Sequence, residues 1–109
     1  MDDSEFQHHA DEALTKLYRA LVGAGDDYGF EADRNNGAIT IEFEEPPAKF
    51  VVSPNGPVRQ IWVSARSKSY KLDWDEVEQT FSLTGSGLTL KKLIEQVIAS
   101  QIGEEVVEL

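Results

Sequence analysis

Residues 30–44 read Phe30-Glu31-Ala32-Asp33-Arg34-Asn35-Asn36-Gly37-Ala38-Ile39-Thr40-Ile41-Glu42-Phe43-Glu44, and this stretch decides the fold. Phe30 and Ala32 alternate with Glu31 and Asp33, and Asn35-Asn36-Gly37 carries the signal of a tight hairpin turn. On the return strand Ile39, Ile41 and Phe43 fall on one face, with Thr40, Glu42 and Glu44 on the other. A hairpin with one apolar face is not stable alone, so the flanking sequence has to cover it.

Downstream, Pro46-Pro47 ends the return strand and Phe50-Val51-Val52 predicts a third. Ser53-Pro54-Asn55-Gly56-Pro57 is a turn rich in backbone breakers. A fourth strand, Val58 to Ala65, places Ile61 and Val63 on one face and Gln60, Trp62 and Ser64 on the other. Tyr70 to Asp73 and Val77 to Leu83 predict two more. Upstream, Phe6, Ala10, Ala13, Leu14, Leu17 and Leu21 recur at helical spacing. The first helix is expected to start around Asp2-Asp3-Ser4, where Ser4 and Gln7 have capping-box spacing, and to stop at Gly23-Ala24-Gly25. Thr84-Gly85-Ser86-Gly87 leads into a second helix, where Leu90, Leu93, Ile94, Val97, Ile98 and Ile102 form the apolar stripe. Lys91 and Glu95 are expected one turn apart on its outer side. The fold class is α+β: a single domain over residues 1–109, a two-layer sandwich with both helices on one face of an antiparallel sheet of about six strands. The opposite face is left to water or a partner.

The 109 residues include no cysteine, which excludes disulfides, thiolate metal sites and cysteine nucleophiles together and points to a reducing, cytoplasmic setting. No apolar run is long enough for a membrane span, and the acidic opening Met1-Asp2-Asp3-Ser4-Glu5 has the wrong charge for a secretory or mitochondrial leader. The net charge of −10 is uneven: residues 1–45 hold twelve acids and three bases, whereas residues 46–74 hold one acid and five bases. Such a field repels nucleic acid and anionic membranes and attracts cations and basic protein surfaces.

There is no Gly-x-Ser-x-Gly elbow, and His8 and His9 lie on the first helix, away from any candidate serine. Gly85-Ser86-Gly87 lacks the remaining residues of a phosphate loop and reads as a connector. The remaining metal donors are oxygens. Asp26 and Asp27 follow the first helix, and Glu31 and Asp33 project from one face of the first strand; with Asp3 and Glu5 they could line one acidic ridge. Clustered carboxylates of this kind suit hard cations at modest affinity, without a dedicated cage. A second candidate site is the open sheet face. Trp62 cannot lie under the helices if Ile61 and Val63 do; with Gln60 beside it and Arg59 and Lys71 nearby, it has the make-up of a protein-binding hot spot. Trp74 reads as structural, closing the turn after Asp73.

The acidic helix, the Asn-Gly hairpin, Ile39-Thr40-Ile41, the run Pro57 to Gln60-Ile61-Trp62-Val63-Ser64, Tyr70-Lys71-Leu72-Asp73 and the Ser86-Gly87 lead to a final helix together resemble the frataxin family, in its bacterial branch. The resemblance covers nearly the whole chain, and Gln60-Ile61-Trp62 is its most specific part. It implies a protein that binds iron (Fe²⁺ or Fe³⁺) weakly on an acidic ridge and engages the cysteine desulfurase and scaffold protein of iron–sulfur cluster assembly. Carried over by position, the ridge is Asp3, Asp11, Asp27, Glu31 and Asp33, and the sheet contact is Gln60 with Trp62. No organic cofactor is implied, and a monomer is expected without metal. The alternatives are an acidic adaptor or inhibitor that binds a basic protein surface without metal, and a ferroxidase. One stretch and two positions depart from the family pattern: Thr15 to Gly23 has no acid and two bases, Ser53 stands where asparagine is usual, and Phe81 where tryptophan is usual.

Overall fold

The computed structural model describes residues 1–109 and builds the sandwich from its hairpin outward. Strands β1 (Phe30–Asn35) and β2 (Ala38–Glu44) pair antiparallel with Phe30 opposite Phe43 and Asn35 opposite Ala38. Strands β3 (Pro47–Asn55), β4 (Gln60–Ala65), β5 (Lys68–Asp75) and β6 (Thr80–Leu83) follow, so the strands lie side by side in chain order as one antiparallel sheet. Helices α1 (Asp3–Tyr28) and α2 (Leu90–Ile102) cover one face. Between them and the sheet lies one core that includes Phe6, Leu14, Ile41, Phe50, Ile61 and Phe81, all fully buried. No helix is long and apolar enough to cross a membrane.

The start of α1 falls within the expected Asp2–Ser4 stretch, whereas its end lies beyond the expected stop, each for a local reason. Asp2, not Ser4, caps α1, accepting the Glu5 amide at 2.8 Å. The helix also runs past Gly23 and Gly25, because Ala24 and Tyr28 continue its packed stripe, and ends at Gly29, whose left-handed φ of 76° returns an N–H to the Gly25 carbonyl. Gly25 is there for packing. A Cβ built on it would sit 2.6 Å from the Phe30 carbonyl oxygen, whereas one on Gly23 would meet nothing within 4 Å. Gly25→Ala should therefore destabilise by about 1–3 kcal/mol, the usual cost of overpacking. Gly23→Ala, at an exposed helical position, should stabilise by about 0.4–1 kcal/mol. Urea melts of the two variants check the contrast, and equal effects would contradict it.

Three further differences arise in the second half. Val77 is 88% exposed and lies outside β6, because the Asp75 carboxylate accepts the amides of Val77 and Glu78 and folds that segment into a turn. Trp74 lies within β5, where its ring stacks on His9 at 3.9 Å and meets the edge of Phe81 at 5.1 Å. Thr89 caps α2 by accepting the Lys92 amide. Glu95 is 7% exposed and not on an outer face, because residues 107–109 fold back over α2. Its carboxylate accepts the Leu109 amide at 2.8 Å and faces Lys92 at 3.4 Å. Gln101, also buried, receives the Arg66 guanidinium at 2.9 Å and donates to the Pro46 carbonyl at 2.8 Å. One side chain thus joins the β2–β3 and β4–β5 turns to α2.

Candidate docking face and acidic edge

The bare face of the sheet follows from the period of two. With Ile61 and Val63 buried, Trp62 points away from the helices and is 37% exposed, flanked by Ser53 on β3 and Lys71 on β5. The Lys71 ammonium lies 5.1 Å from the ring centroid, a cation–π distance. The indole N–H donates to Gln60 Oε1 at 2.9 Å, and Gln60 Nε2 donates to Asp73 Oδ1 at 3.0 Å. The Thr84 hydroxyl donates to the other oxygen of Asp73. The ring is thus an oriented surface, polar at one edge and apolar at its face, beside a shallow groove formed with Val51, Ser53 and Ser64. Arg59, expected to join this face, turns away. It follows the single 3₁₀ turn Gly56–Val58 in a left-handed conformation, and its guanidinium reaches Asp3 at 3.0 Å.

That ion pair also removes Asp3 from the free acids. Asp11 is similarly engaged, 3.0 Å from Arg34, which bonds to Thr15 as well. Asp26, Asp27, Glu31 and Asp33 are exposed and have no ion-pair partner. Asp26 and Asp27 occupy the last turn of α1, at the negative end of its dipole, where no base offsets them. Glu31 stands directly opposite Glu42 in the hairpin register, a repulsive pairing. Asp26, Glu31, Glu42 and Glu44 line one groove, open to solvent, where α1 meets the hairpin. Glu42 and Glu44 were missing from the expected set, although a two-residue Asn36-Gly37 turn already implies that Glu31 pairs with Glu42. Asp3 and the Asp26–Asp27 pair lie at opposite ends of a 26-residue helix, about 35 Å apart at 1.5 Å per residue. Nowhere do three carboxylates or imidazoles converge as a ready-made metal cage.

Fold and surface together define a class: an open-faced α+β sandwich with an oriented tryptophan on its bare sheet and an unneutralised acidic edge. The family described as Frataxin-like domain matches over residues 1–104. The chain is 31% identical over 107 residues to the iron-sulfur cluster assembly protein CyaY of Dechloromonas aromatica, covering 98% of each chain. It is 30% identical over 96 residues to the protein of the same name from Azotobacter vinelandii, covering 86% of each. Among solved structures, frataxin from Psychromonas ingrahamii superposes with a TM-score of 0.83 at 25% identity, over 99% of this chain and 97% of that one. The chain belongs to the frataxin-like family, in its bacterial branch.

Proposed function

We propose that this chain is a cytoplasmic accessory protein of iron–sulfur cluster assembly that docks on the cysteine desulfurase–scaffold complex and carries weakly held iron as cargo. The observation that carries the reading is the exposed Trp62, held at its N–H by Gln60 on a sheet face with no helix over it. A large aromatic fixed in orientation loses little conformational entropy on docking, which suits an interface anchor. The names borne by the two relatives support the process.

The donor set fits iron as cargo and not as a caged cofactor. All candidate ligands are hard carboxylate oxygens, and Asp26, Asp27, Glu31 and Asp33 are free of guanidinium partners. A cation there relieves repulsion against the helix dipole and between Glu31 and Glu42. Asp3 and Asp11 would have to exchange an arginine for the metal, so they should respond last. The same charge steers a basic partner surface toward the edge, acting chiefly on the encounter rate.

A triple variant, Asp27→Lys, Glu31→Lys and Asp33→Lys, tests both roles. It should keep its fold, since surface changes usually cost within about 0.5 kcal/mol each. Association with the desulfurase complex should slow at low salt, and paramagnetic broadening of NMR signals from the α1–β1 junction by Fe²⁺ or Mn²⁺ should disappear. An unchanged on-rate at low salt would refute the steering role, and persistent broadening at the same residues would refute the metal site.

A further inference from the structure

We propose that Asp73 and Thr84 are positioning residues that set the orientation of Trp62 through the Gln60 amide; this rests on the docking role of Trp62 proposed above. A carboxylate can only accept hydrogen bonds, whereas a primary amide both donates and accepts. Asp73 Oδ1, opposite Gln60 in the β4–β5 register, therefore selects the amide orientation that turns Nε2 toward β5. That choice leaves Oε1 facing the Trp62 N–H, the only hydrogen-bonding atom of the indole and a donor. The reversed amide would set Oε1 against the carboxylate and NH₂ against the indole N–H, losing both bonds. Thr84 occupies the second oxygen of Asp73, which keeps the carboxylate from rotating away. Gln60 and Asp73 are half-buried and Thr84 is exposed, so the relay lies on the surface side of the sheet and not in the core. Its product is one ring orientation on the bare face of the sheet. Lys71 then lies over a ring already fixed at its N–H edge.

Three variants and one cross separate this role from simple packing. Asp73→Leu removes the acceptor, Thr84→Val removes the support, and Asp73→Asn keeps an oxygen for Gln60 Nε2. The free protein is read first, by hydrogen exchange of the Trp62 indole N–H, assigned by its loss in Trp62→Phe. Exchange should speed up severalfold in Asp73→Leu, less in Thr84→Val, and return near the wild-type rate in Asp73→Asn. Complex formation with the desulfurase–scaffold assembly should weaken about fivefold to tenfold in Asp73→Leu, the scale of one net hydrogen bond, and recover in Asp73→Asn. In a Gln60→Ala background Asp73→Leu should cause no further loss, because its effect passes through the amide. Unchanged indole exchange in Asp73→Leu overturns the relay. Faster exchange with undiminished binding overturns its role in docking, as does an additive loss in the Gln60→Ala background, which would mean that Asp73 touches the partner itself. If Trp62→Ala also leaves complex formation intact, the docking reading fails first and takes this inference with it.

Discussion

Trp62→Ala should weaken binding to the desulfurase–scaffold complex by at least about 30-fold while costing no more than about 1 kcal/mol of stability. The first figure is the ~2 kcal/mol or more that a central interface anchor contributes. The second is the scale of cross-strand side-chain pairs, since an exposed ring leaves no cavity when removed. Ile61→Ala, one residue earlier and fully buried beneath the helices, should reverse the pattern. It should lose about 2–5 kcal/mol of stability through the cavity it opens, with partner affinity little changed where the protein remains folded. Denaturant melts and a binding titration on the two variants decide the matter. A destabilised Trp62→Ala beside a mild Ile61→Ala would mean that the two residues have exchanged faces.

Deleting Val107 to Leu109 should destabilise the fold by about 3 kcal/mol. Val107 is 4% exposed and belongs to the core, and Leu109 packs partly buried against it. Losing both adds an apolar loss to an unmet polar one, because buried Glu95 gives up the Leu109 amide and keeps only Lys92. For a domain near 100 residues this is a fall in Tm of about 12–24 °C. Calorimetry would register it, and a change of less than about 4 °C would mean that these residues only lie on the surface. Docking of the truncated protein at low temperature should persist, since the deleted segment is on the helix side and Trp62 is on the bare face.

The sheet was legible because strand alternation states its faces directly: Ile39, Ile41 and Phe43 against Thr40, Glu42 and Glu44, then Ile61 and Val63 against Trp62. One correct phase on β4 was enough to expose the tryptophan. The end of α1 was harder to read, because a helix tolerates glycine at a cost near 1 kcal/mol, and the tertiary contact that requires Gly25 is with Phe30, outside the helix. Glu95 resembled a solvated position because the residues that bury it come from after the helix. The pairs Asp3–Arg59 and Asp11–Arg34 join residues far apart in the chain, so charge counting saw the acids without their partners. Asp73 carried a weak signal: it alternates onto the face of Trp62, but its bond to Gln60 appears only with the register of β4 on β5.

Strands in sequential order leave a sheet with two open borders, β1 and β6, each a template on which another chain could add a strand. The two borders are closed off by different means. Beyond β6 the chain itself returns: Ser82 bridges to Thr89, and the Leu83 amide meets the Leu88 carbonyl at 2.7 Å, which occupies hydrogen-bonding positions a stranger would need. Beyond β1 no strand follows, and Glu31 and Asp33 stand on that strand exposed and without a counter-charge. Two copies brought border to border would set these carboxylates against their own kind. Like charge on β1 would thus weigh against pairing of that border with its own copy, whether or not any cation or partner reaches it.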